Sequence, residues 1–293
     1  MSMRIQTFSI LAGSEVCNAR CPFCISKMTP PLGVELREPE VDWRNFRIAC
    51  RLAERCGVTT AMFTGKGEPT IFPEQITKFL RIMAEFRFPI IELQTNGTLL
   101  IDRPEKYAGP LHDWYELGMT TVAVSIVHFE AEKNRPIYLP HREAYIDLPA
   151  LIRMLHEHKF SVRLACVMAH GWIDDRRDLQ ALIDFSREHK VEQLTVRPVN
   201  RPETSRDEES YHWTNEHHLR PEELQDIRTF LESHGTLLMT LIHGASIYDV
   251  EGQNVCLTDS LTLTAKSDDL RQLIFFPDGH LRYDWQYPGA ILL

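Results

Sequence analysis

The sequence predicts an α/β fold with a parallel sheet, because short apolar runs alternate with amphipathic stretches over the first two thirds of the chain. The runs are rich in Val, Ile, Leu and Thr, which is typical of strands buried on both faces. Six predicted strands span residues 7–199, or about 32 residues per strand, close to the roughly 30 of a βαβ unit. This pattern fits both a doubly wound sheet and an incomplete barrel, and in either fold the chemistry lies at the carboxyl ends of the strands.

Each element has a simple sequence basis. The predicted strands are continuous apolar runs: Thr7–Ala12, Thr59–Phe63, Ile90–Gln94, Thr121–Val127, Ser161–Met168 and Gln193–Val199. The predicted helices carry apolar residues at helical spacing: Trp43–Cys56, Pro73–Phe86, Pro110–Leu117, Leu148–His158 and Asp174–His189. Pro110 suits the first turn of the third helix, where a missing backbone N–H costs nothing.

The chain changes character near residue 200. Residues 201–220 are polar and predict a long loop or lid, and a helix follows that begins at Pro221 and ends before Gly235. Strand-like segments then cover Thr236–Leu241, Leu261–Ala265, Leu273–Phe276 and Leu281–Trp285. The Pro-Asp-Gly sequence at 277–279 predicts a hairpin turn between the last two segments.

Composition excludes several classes of protein. The 293 residues fit one or two domains, and 32 Lys plus Arg against 41 Asp plus Glu give a net charge of −9, which makes bulk nucleic-acid binding unlikely. No apolar run is long enough for a membrane span, and no signal peptide is evident, so the chain is predicted to be cytoplasmic. Seven cysteines in a reducing compartment indicate metal binding or catalysis rather than disulfides.

Cys17, Cys21 and Cys24 follow the first predicted strand directly. Three thiolates within eight residues can converge on one metal centre, and a motif with three of the usual four cysteines of an iron–sulfur cluster leaves one iron open to another ligand. Cysteines that merely pack in the core rarely occur this densely. The other alternative is zinc completed by a distant His112 or His128, although structural zinc prefers paired C-x2-C units and only one such unit is present here.

The C-x3-C-x2-C spacing, with Phe23 before the last cysteine, resembles the radical S-adenosylmethionine (radical SAM) superfamily. In that family the three cysteines hold a [4Fe-4S] cluster, and reductive cleavage of SAM yields a 5′-deoxyadenosyl radical that takes a hydrogen atom from the substrate. The resemblance implies a partial (β/α)6 TIM-type barrel over residues 1–200. It also implies a C-terminal extension over 201–293, a helix plus a β-hairpin, which caps the barrel and contributes to the substrate pocket.

Residues 64–69, Thr-Gly-Lys-Gly-Glu-Pro, follow the second predicted strand and resemble the family's Gly-Gly-Glu-Pro element. There the backbone and the glutamate receive the amino group of SAM, which assigns this role to Gly65, Gly67 and Glu68. Glycines let the backbone approach a ligand, and a carboxylate suits an ammonium. Lys66 stands where the element has its first glycine, so its role is open. An ordinary strand–helix turn is the alternative reading of this stretch.

The resemblance assigns further SAM contacts. Asn96, in a polar turn after the third strand, faces SAM; Ser125 on the fourth strand meets its carboxylate or ribose. Phe23 packs on the adenine, with simple core packing as the alternative. Arg163 lies within an apolar run and should meet an anion, because a buried cation without a partner is costly. The resemblance gives it the SAM carboxylate, and an internal Asp or Glu is the alternative.

Several residues are candidates for substrate binding. Arg197 and Asn200 lie at the end of the sixth strand, and Arg suits a carboxylate or phosphate; a salt bridge to the acidic loop that follows is the alternative for Arg197. His128, with Asn134 and Arg135, follows the fourth strand and could face the substrate.

The C-terminal hairpin resembles that of the SPASM and molybdopterin-cyclase-like groups, but Tyr283 and its neighbours stand where those groups often have a cysteine. The hairpin could line the substrate pocket or be purely structural. The remaining cysteines contain no C-x2-C pair and are interpreted as packing residues: Cys50, Cys56, Cys166 and Cys256. A single cluster is therefore expected.

The predicted function is a radical SAM enzyme that acts on a small molecule, such as a nucleotide or nucleotide sugar, with flavodoxin or ferredoxin as electron donor. The chain starts 16 residues before Cys17, so we expect no preceding peptide-binding domain, which argues against a peptide-modifying enzyme. A glycyl-radical-enzyme activase is a further alternative. A zinc-binding module, of a different class, would be colourless and would not cleave SAM.

Overall fold

The computed structural model describes residues 5–202, 205–241, 244–258, 270, 272–285, 287 and 289–293. The strands within these ranges are β1 (Thr7–Leu11), β2 (Thr60–Thr64), β3 (Ile90–Thr95), β4 (Thr121–Ile126), β5 (Ser161–Met168), β6 (Gln193–Pro198), β7 (Thr236–Thr240), β8 (Ser246–Val250), β9 (Gln253–Leu257), β10 (Gln272–Phe275) and β11 (Leu281–Arg282). The helices are α1 (Ile25–Met28), α2 (Trp43–Arg55), α3 (Pro73–Met83), α4 (Thr98–Asp102), α5 (Pro104–Glu116), α6 (Ala131–Tyr138), α7 (Leu148–Glu157), α8 (Arg176–Glu188), α9 (Glu208–His217) and α10 (Pro221–His234). None of these helices is long and apolar enough to cross a bilayer.

All the described strands form one sheet in the order β11-β10-β1-β2-β3-β4-β5-β6-β9-β8-β7. Neighbours from β1 to β6 are parallel, and each is followed by at least one helix. The two ends of the sheet, β11 and β7, do not pair with each other, so the barrel is not closed. The predicted α/β class and partial barrel are confirmed, and the six core strands begin and end within one residue of their predicted bounds.

Residues after 200 continue the core sheet at both edges. β9 pairs in parallel with β6, and β10 pairs in parallel with β1. The predicted α10 is confirmed, as is the hairpin of β10 and β11, whose turn holds Gly279 at φ 84°. β8 and β9 were not predicted. Glu251 in the turn between them adopts φ 51°, a conformation that is uncommon for glutamate, so the sequence gives no sign of this turn. The predicted strand Leu261–Ala265 lies outside the described residues.

The two faces of the core sheet differ in chemistry. On β5, Val162 and Leu164 point to the face covered by helices and are fully buried in the main hydrophobic core. Arg163 and Ala165 alternate with them and point to the opposite, inner face, where they keep partial exposure. Strand register brings Ser125 of β4 beside Ala165 on this inner face. The inner face is therefore the polar, accessible side of the open barrel, at which a ligand could bind.

One helix prediction and one loop prediction need correction. The helix predicted over Pro110–Leu117 is α5, which begins at Pro104 and carries Pro110 in its interior. Its buried residues Tyr107, Leu111 and Trp114 keep helical spacing on both sides of that proline, so packing continues through it. The polar segment 201–220 contains α9 rather than only a loop; the Asp207 carboxylate caps this helix by accepting a hydrogen bond from the Ser210 amide. The short α4 and α6 were also not predicted.

Candidate active site

The loop after β1 carries the three predicted ligand cysteines. It turns away from the sheet at Gly13, which has φ 75° and lies so close to the Phe72 ring that a Cβ would come within 2.3 Å of it. Only glycine fits there. The loop ends in a turn in which the Cys24 amide donates to the Cys21 carbonyl. Cys24 is also the N-cap residue of α1.

All three cysteines are free thiols that keep some access to solvent, although the surrounding loop partly desolvates the sulfurs of Cys17 and Cys21. Burial, with the nearby Glu68 carboxylate as a smaller cause, raises the pKa of Cys17 to about 11. Burial also raises the pKa of Cys21, and the neighbouring thiols add to this effect. A positive centre bound beside Cys17 and Cys21 would oppose these shifts and favour their thiolate forms. The loop is therefore suited to a metal centre.

The Gly-Lys-Gly-Glu-Pro stretch after β2 lies against this cysteine loop. A Cβ at Gly67 would lie 2.0 Å from the Val16 carbonyl oxygen, so a side chain cannot be accommodated there. The next amide, that of Glu68, donates to the same carbonyl at 2.9 Å. A Cβ at Gly65 would lie 3.0 Å from the Ala12 carbonyl oxygen. These glycines thus hold the cysteine loop against the end of β2.

The Glu68 carboxylate is only 4% exposed and accepts four hydrogen bonds from groups of this chain. Oε1 accepts from the Thr70 amide at 3.1 Å, the Thr70 hydroxyl at 2.7 Å and the Thr95 hydroxyl at 2.6 Å. Oε2 accepts from the Asn96 amide at 2.9 Å. Burial raises the pKa of Glu68, and these four donors oppose the shift. The side chain joins the loops after β2 and β3, a role that sequence reasoning did not foresee.

Asn96 connects the same region to the cysteine loop. Its Nδ2 donates to Asn18 Oδ1 at 2.8 Å, and its Oδ1 accepts from the Thr98 amide at 3.0 Å. The other end of the Asn18 amide is different: Nδ2 is buried and has no hydrogen-bond partner among the described residues. A buried donor without an acceptor is rare in a folded protein. A group bound beside the cysteine loop could supply this acceptor.

Phe23 packs on aromatic side chains of the chain itself. Its ring lies 6.2 Å from that of Tyr138 at the end of α6 and 5.5 Å from that of Trp213 in α9, between ring centroids. Trp213 in turn stacks on His217 at 4.4 Å. These contacts match the core-packing alternative, and the adenine contact stays a prediction. They also bring α9, from the C-terminal part of the chain, onto the cysteine loop.

The carboxyl ends of β4 and β6 present Ser125 and Arg197 on the inner face of the sheet. Arg197 lies beside Val167 in the strand register, and Val167 belongs to a small apolar cluster that also contacts Cys21 and Phe23. Burial lowers the pKa of Arg197. Within the described part of the chain, Arg197 has neither an ion-pair partner nor a hydrogen bond, and Ser125 Oγ has none either. Both side chains are thus free to meet a ligand.

Arg163 is placed differently. Its guanidinium donates to the buried Glu92 carboxylate of β3, which also accepts from Gln94 Nε2 at 3.2 Å. Arg163 is the third residue of β5, five residues from the carboxyl end at Met168, which is roughly 16 Å along a strand. The partner of Arg163 is therefore the internal acid that the sequence analysis gave as the alternative. The ion pair holds Arg163 far from the cysteine loop.

The predicted substrate residues after β4 are largely engaged within their own loop. Asn134 is fully buried, and its Oδ1 accepts from the Val127 amide at 3.0 Å. His128 is 2% exposed, and its Nδ1 accepts from the Glu130 amide at 3.0 Å. Burial, with the Lys133 ammonium as a smaller cause, lowers the pKa of His128 to about 4. His128 and Asn134 are therefore positioned to shape this loop, while Arg135 donates to a backbone carbonyl nearby.

The last two substrate candidates lie apart from each other. Asn200 is half-buried in the loop after β6, three residues beyond Arg197. Tyr283 follows the edge strand β11 and is 40% exposed, with its amide donating to the Ala290 carbonyl at 3.1 Å. The structure brings Asn200, but not Tyr283, to the end of the sheet that carries Arg197.

The spacing of the thiols bears on the zinc alternative. In the described ranges, the one group of three or more metal-ligating side chains whose ligand atoms all lie within 4.8 Å of one another is His170, Asp174 and Glu223. The sulfurs of Cys17, Cys21 and Cys24 are thus more widely spread. Two sulfurs on one tetrahedral zinc, with Zn–S bonds of about 2.3 Å, lie only about 3.8 Å apart. The triplet suits a cluster of several irons better than a single zinc.

A family model for the Radical SAM superfamily matches residues 12–185, which is more than half of the chain. This chain belongs to the radical SAM superfamily. No curated protein matches the sequence. The radical SAM family uses a [4Fe-4S] cluster and SAM. This chain is an enzyme of that family, and its cysteine motif is consistent with the family's motif.

Solved structures share the fold at low sequence identity. Streptococcus suis SuiB bound to S-adenosylmethionine superimposes with a TM-score of 0.59 at 15% identity over 99% of this chain. The chain spans only 60% of SuiB. Native anSMEcpe with bound AdoMet and Kp18Cys peptide gives 0.60 at 14% identity, over 98% of this chain and 76% of that one. Methylornithine synthase (PylB) gives 0.55 at 13%, over 90% and 75%. These likenesses establish the fold.

The residues of this radical SAM chain fit the family's cofactors. Three free thiols in one loop match the donor set that such a cluster needs, and Asn18 Nδ2 in the same loop has no acceptor among the described residues. The other four cysteines lie elsewhere: Cys50 in α2, Cys56 at its end, Cys166 in β5 and Cys256 in β9. Burial raises the pKa of Cys50, Cys166 and Cys256, which keeps them as thiols.

Sequence reasoning left the role of Lys66 open and missed two tyrosines near this radical SAM site. Lys66 is 5% exposed, and its ammonium donates to the Pro30 carbonyl beyond the cysteine loop; burial lowers its pKa. Tyr138 and Tyr145 lie in the segment after β4 and contact the apolar cluster around Cys21. No short motif marks them, because their position depends on how α6 folds back onto the cysteine loop.

Proposed function

We propose that this radical SAM enzyme binds one cluster at Cys17, Cys21 and Cys24 and abstracts a hydrogen atom from a small, anionic substrate. A nucleotide or nucleotide sugar is the substrate class that we favour. The observation that carries the proposal is Arg197, a cation on the inner face at the carboxyl end of β6 with no anionic partner among the described residues. A charged group in such a place is stabilised when its ligand binds.

The residues of the chain have separable roles in this proposal. When bound, the cluster supplies the electron that splits SAM into methionine and a 5′-deoxyadenosyl radical. We propose that the backbone at Gly65 and Gly67, which lies close to carbonyls of the cysteine loop, also faces the amino group of SAM. Asn96, Ser125 and Phe23 are proposed to line the rest of the SAM site. Glu68 holds the loops in place through its four donors.

The apolar surroundings serve to exclude water. Phe23, Trp213 and Trp172 form a continuous aromatic contact over the cysteine loop, with Trp172 and Trp213 at 5.7 Å. We propose that this contact, contributed in part by the C-terminal part of the chain, shields a reactive radical from solvent. That role supports the predicted contribution of residues 201–293 to the substrate pocket, whereas Tyr283 has only its place at the edge hairpin in its favour.

The setting of the enzyme is also part of the proposal. All seven cysteines are free thiols, which suits a cytoplasmic enzyme. Reduction would come from a flavodoxin or ferredoxin. Activation of a glycyl-radical enzyme and peptide modification are alternatives that the assay below separates, because their substrates are macromolecules.

The test is an anaerobic assay of the cluster-loaded protein with SAM, a reductant and a panel of nucleotides and nucleotide sugars. A true substrate should increase 5′-deoxyadenosine formation and be consumed. Arg197→Leu should retain the slow SAM cleavage that we expect of the wild-type protein without substrate, and it should lose substrate turnover. If no member of the panel is consumed while a protein or peptide substrate is, the small-molecule proposal is wrong.

A further inference from the structure

Two buried tyrosine hydroxyls near the cysteine loop have no hydrogen-bond partner. The hydroxyls of Tyr138 and Tyr145 are both inaccessible to solvent, and no donor or acceptor in the described chain reaches either of them. Buried side-chain hydroxyls are nearly always hydrogen-bonded, and leaving one unsatisfied costs free energy. Tyr107 shows the usual arrangement in this protein, because its hydroxyl donates to the Thr70 carbonyl at 2.6 Å.

The two tyrosines form one group beside the cysteine loop. Their ring centroids are 6.2 Å apart. Tyr138 is held on the loop from two sides, since its carbonyl accepts from the Arg20 amide at 3.0 Å and its ring contacts that of Phe23. Both rings contact the apolar cluster that also includes the Cys21 side chain. Their hydroxyls are therefore fixed in position before any ligand arrives.

Arg197 is the third member of this group. It lies beside Val167 in the strand register, and Val167 belongs to the same apolar cluster as Tyr138. An ionised Tyr138 side chain would raise the pKa of Arg197 against the lowering effect of burial, which indicates that the two side chains lie near each other. All three side chains offer donors, and the described chain provides an acceptor for none of them. The guanidinium can only donate, and both hydroxyls can donate as well, so an acceptor satisfies all three groups and the guanidinium favours a negative one.

We propose that Tyr138, Tyr145 and Arg197 form an oxyanion pocket that takes the carboxylate or phosphate group of a small molecule bound beside the cysteine loop. A planar guanidinium matches both groups, and each hydroxyl can donate to one of their oxygens. The inference deepens the proposed function, on which it rests for the identity of the molecule as substrate. The SAM carboxylate is a second source of the same chemistry.

The first test measures anion binding by the cluster-loaded protein in a buffer without phosphate or carboxylate. Sodium phosphate and sodium acetate are the probes, sodium chloride controls for ionic strength, and the rise in Tm gives the affinity. We expect at least one probe to stabilise the wild-type protein saturably. Arg197→Met should weaken binding about tenfold or more, and each Tyr→Phe variant about two- to tenfold. Tyr115→Phe, on the outer helix α5, is the matched control and should bind normally.

A second readout needs no ligand. Tyr138→Phe removes a hydroxyl that has no internal partner, so without probe its Tm should equal or exceed that of the wild-type protein. Tyr107→Phe breaks an internal hydrogen bond and should lower the Tm. The variants keep the aromatic rings, so both should fold. If Tyr138→Phe lowered the Tm as much as Tyr107→Phe, the Tyr138 hydroxyl would have an internal partner and the pocket would be refuted.

Titration with SAM identifies the source of the oxyanion. Loss of SAM affinity in the Arg197 and Tyr138 variants would indicate that the SAM carboxylate occupies the pocket. Further stabilisation of the SAM-saturated protein by phosphate or acetate would indicate a second ligand, as the proposed function expects. Either result supports the pocket. A wild-type protein stabilised by none of phosphate, acetate and SAM, or variants that keep the full effect, would overturn it. A protein that binds anions here but never cleaves SAM would keep the pocket and refute only the proposed function.

Discussion

Replacing Glu68 tests how the Gly-Lys-Gly-Glu-Pro element works. From the family resemblance, the carboxylate should receive the SAM amino group, so Glu68→Ala should weaken SAM binding directly. The structure instead gives the carboxylate four donors from this chain. Glu68→Ala leaves the Thr70 and Asn96 amides buried without an acceptor, at about 1–3 kcal/mol each, or about 2–6 kcal/mol together. This is a large part of the roughly 5–15 kcal/mol that stabilises a typical domain.

The assay is urea unfolding of Glu68→Ala and Glu68→Gln, with SAM affinity measured on the same preparations. We expect Glu68→Ala to lose several kcal/mol and Glu68→Gln less, because the amide oxygen of the introduced glutamine can still accept from one or two donors. SAM affinity should fall in parallel with stability. Glu116→Ala, an exposed residue at the end of α5, should change neither quantity. A Glu68→Ala protein of normal stability and weak SAM binding would refute the reasoning and restore the direct contact.

Two further predictions follow from buried charges. Arg163→Leu leaves the Glu92 carboxylate buried without a counter-charge and should cost about 3 kcal/mol of stability in urea unfolding. This is the low end for a buried pair, because the Arg163 side chain is 24% exposed. The SAM affinity of this variant should be normal, and a raised SAM requirement with normal stability would instead show that Arg163 contacts SAM. His128 has a pKa lowered from 6.5 to about 4, so the unfolded chain binds more protons and stability falls as the pH drops from 6.5 toward 4, by about 2 kcal/mol at pH 5. His128→Asn, which keeps an acceptor for the Glu130 amide, should remove this part of the pH dependence of unfolding. The exposed control His112→Asn should keep it, and equal slopes in both variants would contradict the assignment.

Most of the fold follows from local sequence patterns. The strands β1 to β6 are continuous apolar runs, and β5 has the predicted bounds Ser161–Met168. The turn at residues 277–279 was predictable because Pro and Gly each restrict or permit a particular backbone conformation. The cysteine motif could be found for a similar reason, since its three cysteines lie within eight residues of one another. Local spacing carries both kinds of information.

Contacts between distant segments could not be predicted in this way. Arg163 and Glu92 are 71 residues apart, and only the register of β3, β4 and β5 brings them together on the inner face. The pairing of β10 with β1 and of β9 with β6 likewise depends on the closure of long loops. α9 was missed because its sequence is polar, with only Ser210 and Thr214 buried, so apolar periodicity does not reveal it.

The central claim is that Cys17, Cys21 and Cys24 hold a single cluster that cleaves SAM. The most direct measurement is 5′-deoxyadenosine released from SAM by the anaerobically reconstituted, reduced protein, with iron and sulfide determined on the same sample. We predict roughly four irons and four sulfides per chain, together with formation of 5′-deoxyadenosine and methionine. Replacing the three cysteines by Ala should abolish both, whereas the control Cys56→Ala should preserve both. Stoichiometric zinc without iron after reconstitution, or 5′-deoxyadenosine formation that survives the triple replacement, would contradict the claim.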